Sequence, residues 1–164
     1  CYGGMMMRVG DSFIGKMLSS GAIAGFTTAL AASLAGKREA GSYAAPLNAT
    51  SHAFWGDEAA QHDEASAKYT LTGLVTNVAS ATFWAAIYEK LFGQQAGDEP
   101  SLLKPVLGAM AVTAGAYVTD YYLVPKRLTP GYELRLSGKS LAAIYGALAV
   151  GLAAGGLMSR RSLP

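Results

Sequence analysis

FIGKMLSSGAIAGFTTALAASLAG, residues 13–36, is the stretch that decides the fold class. At about 1.5 Å per helical residue it is long enough to cross a hydrocarbon core of about 30 Å. Its single charge, Lys16, falls in the first turn, where a lysine stem can carry its ammonium out to the headgroups. Gly21, Gly25, Ala29 and Ser33 recur at every fourth position and lay a smooth strip along one face. Inside lipid, helices associate through close van der Waals contact, so such a strip predicts a helix neighbour.

Working outward, the preceding CYGGMMMRVGDS is short and ends in Asp11-Ser12, a helix-capping pair. Cys1 is the only cysteine, which excludes an internal disulfide and a cysteine metal cage. A chain that starts at Cys is read either as a fragment or as a processed product, a lipid-modified N-terminus included. The Met5 to Met7 run is compatible with soft-metal binding, but an apolar chain end is the simpler account.

Downstream, Lys37-Arg38-Glu39 closes the first segment, and a polar piece, 42–68, follows with both histidines. Pro46 and Asn48-Ala49-Thr50-Ser51 predict a turn, with Thr50 or Ser51 capping a short helix over 52–68. Acids at 57, 58, 63 and 64, together with Phe54 and Trp55, predict an interfacial segment. Asn48-Ala49-Thr50 also matches a glycosylation acceptor, a pattern common by chance.

Three more apolar segments are predicted to span. In 69–92, Gly73, Asn77, Ala81 and Ala85 share a face, and Phe83, Trp84 and Tyr88 form an aromatic belt. In 102–124, Ala111, Gly115 and Thr119 share a face, and the segment ends in Asp120-Tyr121-Tyr122. In 140–159, Ala143, Ala147, Gly151, Gly155 and Ser159 make the longest small-residue strip, which predicts that the last helix is central to packing. The connecting 125–139 is basic and amphipathic.

The composition agrees. Of 164 residues, 51% are apolar and only 15% are charged, which is too apolar for an ordinary soluble domain. The net charge of +2 is spread over segment ends, so the concentrated basic footprint needed to bind nucleic acid is missing. Four crossings place both termini on one side. Lys and Arg divide six to that side and seven to the other, which decides no orientation, and the acidic 42–68 inclines the termini to the cytoplasm.

Chemistry is sought where the polar segment meets the start of the second span and the end of the third. His52, Asp57, Glu58, His62, Asp63, Thr76, Asn77, Asp120, Tyr121 and Tyr122 are candidates to converge there. Glu58 and His62, four apart, would share a helical face and could hold one transition metal or pass one proton, with His52 and Asp120 as added ligands. A solvated acidic helix with incidental histidines is the plainer alternative. Asp120, a turn inside the third span, is either a proton-linked or ligand-binding acid or the partner of Lys126, Arg127 or Lys68. Asn77 is expected to bond across to a neighbouring helix, and Glu89 to form an interfacial ion pair facing Lys104. No Walker loop, Gly-x-Ser-x-Gly elbow, His-Glu-x-x-His or Cys-x-x-Cys is present.

Asn48-Ala49-Thr50-Ser51-His52, Trp55-Gly56-Asp57-Glu58-Ala59-Ala60, Phe83-Trp84-Ala85, Tyr88-Glu89 and Asp120-Tyr121-Tyr122 resemble a group of small bacterial inner-membrane proteins with no assigned activity, over 46–136. Some of those proteins carry histidines near the middle of the second helix, where this chain has Asn77-Val78, a departure that weakens a shared metal site.

The sequence thus predicts one all-α polytopic membrane domain over 1–164, with four transmembrane helices and an interfacial polar segment, in the bacterial inner membrane. Two functions compete. The first is a non-catalytic accessory or scaffold subunit that meets lipids and other membrane subunits, or itself, through the helix-packing residues Gly21, Gly25, Gly115, Ala147, Gly151 and Gly155 and the interfacial aromatics Trp55, Trp84, Tyr121 and Tyr122. The second is a metal- or proton-dependent membrane enzyme or carrier using His52, Asp57, Glu58, His62 and Asp120.

Overall fold

The computed structural model describes residues 12–93, 98–99 and 101–161, without the side chains of the last two. The readings of Cys1, Met5 to Met7 and Asp11 lie outside the described residues.

Helix α1 runs Phe13–Ala40. Ser12 caps it, its hydroxyl accepting from the Gly15 N–H at 3.1 Å. The helix stops at Gly41, whose φ of 72° is the left-handed C-terminal conformation that favours glycine. Lys37 and Arg38 fall in the last turn, where they complement the helix dipole. Helix α1 is thus a turn longer than the predicted 13–36.

The polar segment is not the expected continuous helix. Helix α2, Ala45–Thr50, starts with Pro46 in its first turn, and helix α3, His52–Trp55, is a single turn. A 3₁₀ turn, Asp57–Gln61, follows. A non-helical strap from 62 to 66 then leads into a π-helical turn, Ala67–Leu71. Gly56, at φ 78° and ψ 179°, breaks the helix between α3 and the 3₁₀ turn. Neither predicted cap acts, because the Thr50 and Ser51 hydroxyls instead donate back to the Pro46 and Asn48 carbonyls.

Helix α4, Thr72–Phe92, continues from the π turn. Helix α5, Leu103–Val118, runs into a second π-helical turn, Thr119–Leu123. Short 3₁₀ turns over Lys126–Leu128 and Tyr132–Leu134 lead to helix α6, Gly138–Arg161. No strand occurs among the described residues.

The four long helices form a ring in which α1 packs against both α4 and α6, and α5 closes the gap between those two. Small residues set the approach. A Cβ on Gly151 would sit 2.5 Å from the Ala24 Cα, and one on Gly155 would sit 2.7 Å from the Ser20 Cα. On the other side of α1, a Cβ on Gly21 would sit 2.7 Å from the Thr82 Cα, and one on Gly25 would sit 3.2 Å from the Val78 Cα. The most extensively packed helix is therefore α1 and not the last one, because α1 offers two small-residue faces and α6 uses its long strip against α1.

Helix α5 also departs from expectation. Ala111 and Gly115 face outward, while Gly108, Val112 and Ala116 are buried. The cause is the aromatic end of α4: Phe92 lies on Gly108, and the fully buried Tyr88 donates to the Pro105 carbonyl at 3.3 Å. Tyr88, Leu152, Ala85, Ala109 and Ala116 form the heart of the core.

The outside of the ring is apolar, with Phe26, Leu34, Val75, Phe83, Met110 and Val150 all exposed. Among the described residues, Phe13–Ala40, Ala67–Phe92 and Gly138–Ser159 are long and apolar enough to cross a membrane. The α-helical part of α5, 16 residues, reaches only about 24 Å at about 1.5 Å per residue.

Polar contacts lock the cap at one end of the ring. Arg135 donates to the Ala60 carbonyl at 2.6 Å and pairs with Asp63 at 2.6 Å. Glu39, at the end of α1, accepts from the Ser137 N–H at 2.7 Å and so caps the start of α6. Asn48 is completely buried, its amide donating to the His62 and Glu64 carbonyls at 2.8 and 2.9 Å. The Asn-Ala-Thr triplet is therefore no reachable acceptor in the folded chain, because both amide protons hold the strap.

Candidate functional site

A cavity of about 270 Å³ lies inside the ring, beneath the polar cap. Helices α1, α4 and α6 reach it through Thr28, Asn77 and Tyr145, the π turn after α5 reaches it through Asp120, and α2 and the 125–137 link roof it with Thr50 and Tyr132. The π turns at the start of α4 and the end of α5 flank it. Such turns insert an extra residue and re-aim the side chains that follow, and they recur at functional sites.

Asn77 is the inner anchor. Its carbonyl oxygen accepts from the Tyr132 hydroxyl at 2.7 Å, with the Thr28 hydroxyl at 3.1 Å, and its amide donates to the Gly25 carbonyl at 2.9 Å. The expectation of a bond across helices thus becomes a three-element junction of α1, α4 and the link. Burial pushes the Tyr132 phenol up, so it remains a donor to Asn77 at any ordinary pH.

Asp120 is the carboxylate of the cavity. Its Oδ2 accepts from the Tyr145 hydroxyl of α6 at 2.6 Å. The expected ion pairs do not form. Lys68 sits 3.7 Å from Glu58 and over the Trp55 and Tyr69 rings, and Arg127 donates to the Ala53 carbonyl at 3.1 Å. Helix periodicity explains the difference, since Asp120 follows the buried Val112 and Ala116 at four-residue steps and so faces the bundle and Tyr145. Tyr121 packs beside Tyr145 and donates to Glu133 at 3.2 Å, which places a second carboxylate near the same end.

The histidines do not join Asp120. His52 is 3% exposed, its Nε2 donating to the Thr129 carbonyl at 2.8 Å while Nδ1 lies 3.6 Å from the exposed Asp57. His62 stacks on Tyr69 with ring centroids 4.3 Å apart, and Glu58 accepts from the Tyr69 hydroxyl at 3.1 Å. Glu58 and His62 do not share a helical face, because the 3₁₀ turn ends at Gln61 and His62 has extended backbone angles. Among the described residues no three of His, Cys, Asp and Glu are grouped to hold a metal ion. The predicted constellation separates into His52 with Asp57, Glu58 with His62 around Tyr69, and Asp120 in the cavity.

Of the remaining candidates, Thr76 and Asn77 line the cavity, as does Trp84, and Asp63 is tied to Arg135. Trp55 and Tyr122 are exposed. Gly21, Gly25, Gly151 and Gly155 are used within the chain, Ala147 accepts from the Thr27 hydroxyl at 2.9 Å, and Gly115 faces open space. Glu89 is not an interfacial ion pair. It is 7% exposed, faces α1 and accepts from the Ser20 hydroxyl, while Lys104 pairs with Asp98 at 3.1 Å.

Sequence reasoning missed Thr28, Tyr132 and Tyr145. Tyr145 carried a signal as the only aromatic residue in 140–159. Tyr132 carried none, since only the fold brings the link to Asn77.

The fold and cavity define an all-helical bundle, apolar outside and compatible with a membrane, with a partly open, mainly apolar cavity that carries a few polar groups. Compared with known protein families, with curated proteins and with solved structures, the chain shows no match.

Proposed function

We propose that the chain is a four-span integral membrane protein that binds a small ligand in the cavity around Asp120, Tyr145 and Asn77, as a carrier or receptor rather than through covalent catalysis. The observation that carries this reading is a carboxylate held by a tyrosine in a cavity walled by α1, α4, α6 and the π turn that follows α5. A lone acid among apolar helices is costly to retain and points to a ligand or proton path. The fourth crossing is α5 with its π turn, which extends the helix to Leu123. The resemblance noted above supports the bacterial inner membrane, and the acidic strap supports cytoplasmic termini.

Two observations favour binding over chemistry. Among the described residues no Ser or Thr hydroxyl in the cavity is hydrogen-bonded to a histidine or to Asp120, the carboxylate that lines it, and the histidine and carboxylate pairs that would hold a metal are apart.

A second reading, an accessory subunit, retains one supporting observation. The helix-packing strips that suggested it are taken up by α1, but a groove between α5 and α6 stays open beside Gly146 and Ala142.

Native mass spectrometry of the protein, extracted from its own membrane in mild detergent, separates the two. The expected result is one small non-covalent ligand per chain, lost in Thr76→Phe, which fills the cavity from its half-buried rim. A fixed-ratio protein partner with an empty cavity would support the accessory reading instead.

A further inference from the structure

The hydrogen-bond arithmetic of the cavity says what kind of ligand it takes, an inference that rests on the binding reading above. A hydroxyl has one proton to give, and nearly every lining hydroxyl has already given it. Tyr145 donates to Asp120, Tyr132 to Asn77, Thr76 to the Thr72 carbonyl at 2.8 Å and Thr50 to the Pro46 carbonyl at 3.0 Å. Thr28 has the Ala24 carbonyl at 2.8 Å and Asn77 at 3.1 Å. Ser80, at the exposed rim, is the exception. The wall therefore offers a guest oxygen lone pairs and few hydroxyl protons.

Charge points the same way. Asp120 lines the cavity, and no Lys, Arg or His does among the described residues. Asp120 is in no ion pair, and Glu133, linked through Tyr121, adds a second negative group nearby. An anion or a pure acceptor would meet a carboxylate and mostly lone pairs, with the Ser80 hydroxyl and the Trp84 indole N–H as the donors on the wall. The rest of the wall is apolar and aromatic, with Trp84, Phe54, Ile144 and Leu148. Aromatic rings attract organic cations, and the aliphatic positions suit a hydrocarbon body.

We infer that the cavity binds an organic ammonium ion with an apolar body, the ammonium donating to Asp120 and the neighbouring hydroxyl oxygens. A free alkylamine and the amino headgroup of a membrane lipid share this chemistry.

The test uses the full chain in phosphatidylcholine nanodiscs, with n-octylammonium and n-octanol as probes, in a Trp55→Phe background so that Trp84 reports. Octylammonium is expected to change Trp84 fluorescence saturably, and octanol to bind at least about tenfold more weakly. Asp120→Asn should weaken octylammonium by about tenfold or more, whereas Asp120→Glu, which keeps the charge, should restore most of the binding. Replacing part of the lipid with phosphatidylethanolamine assigns the source. Competition makes the headgroup amine the ligand, and its lack makes it a free amine. Equal binding of octanol and octylammonium by the unsubstituted cavity would overturn the ammonium inference while leaving a ligand cavity. Saturation by neither probe would overturn the cavity reading as well. The comparison of the two probes needs no variant, so it holds even if a substitution at Asp120 prevents folding.

Discussion

Asn48 shows how much one side chain can organise. Its amide closes the strap through two carbonyls, and its Oδ1 accepts from the Thr70 hydroxyl at 2.5 Å. Replacement by Ala takes the partner from two carbonyls and a hydroxyl at once. Each buried group left unmatched costs about 1–3 kcal/mol. Asn48→Ala is therefore expected to lower the unfolding free energy by about 2–4 kcal/mol, read from denaturant titration in detergent micelles. A loss below about 0.5 kcal/mol would mean that water reaches the strap. Asn77 plays a comparable part deeper in the bundle, and its inter-helix role could be anticipated because an amide in an apolar helix must find a partner. The identity of that partner could not, since Tyr132 is 55 residues away.

At the scale of elements, glycines separate contacts from open faces. A Cβ on Gly155 meets the α1 backbone at Ser20, whereas one on Gly146, on the same helix, meets nothing within 4 Å. Gly155→Leu is expected to force α1 and α6 apart at a cost of about 2–3 kcal/mol, and Gly146→Ala to change stability by less than about 0.5 kcal/mol. Thermal unfolding of the two variants side by side checks this. Equal effects would show that the α1–α6 approach is not limited by these atoms. The repeat of small residues every four positions was legible in the sequence, because a helix puts such positions on one face. Which partner each face meets was not legible. On α5 the face buried within the chain is that of Gly108, Val112 and Ala116, because the bulk of Tyr88 and Phe92 on the neighbouring helix decides the contact.

At the scale of the molecule, the structure puts the strap and the 125–137 link at one end of the ring and Asp98, with its partner Lys104, at the other. A four-span protein therefore exposes Glu64 and Arg127 on one side of the membrane and Asp98 on the opposite side. In a Cys1→Ser background, Glu64→Cys and Arg127→Cys should react together with a membrane-impermeant maleimide applied from one side, and Asp98→Cys should react only from the other. Labelling of all three from one side would remove the fourth crossing.

Composition and hydropathy sufficed for an all-helical chain with segments long and apolar enough to cross a membrane, because both properties are read along a single helix. Periodicity likewise marked Asn77 and Asp120 as polar groups that needed an explanation. Tertiary structure alone decided that α1 is the packing centre, that the histidines stand apart from Asp120, and that Tyr132 and Tyr145 complete a chamber. Those outcomes depend on side chains far apart in the chain competing for the same space and the same protons.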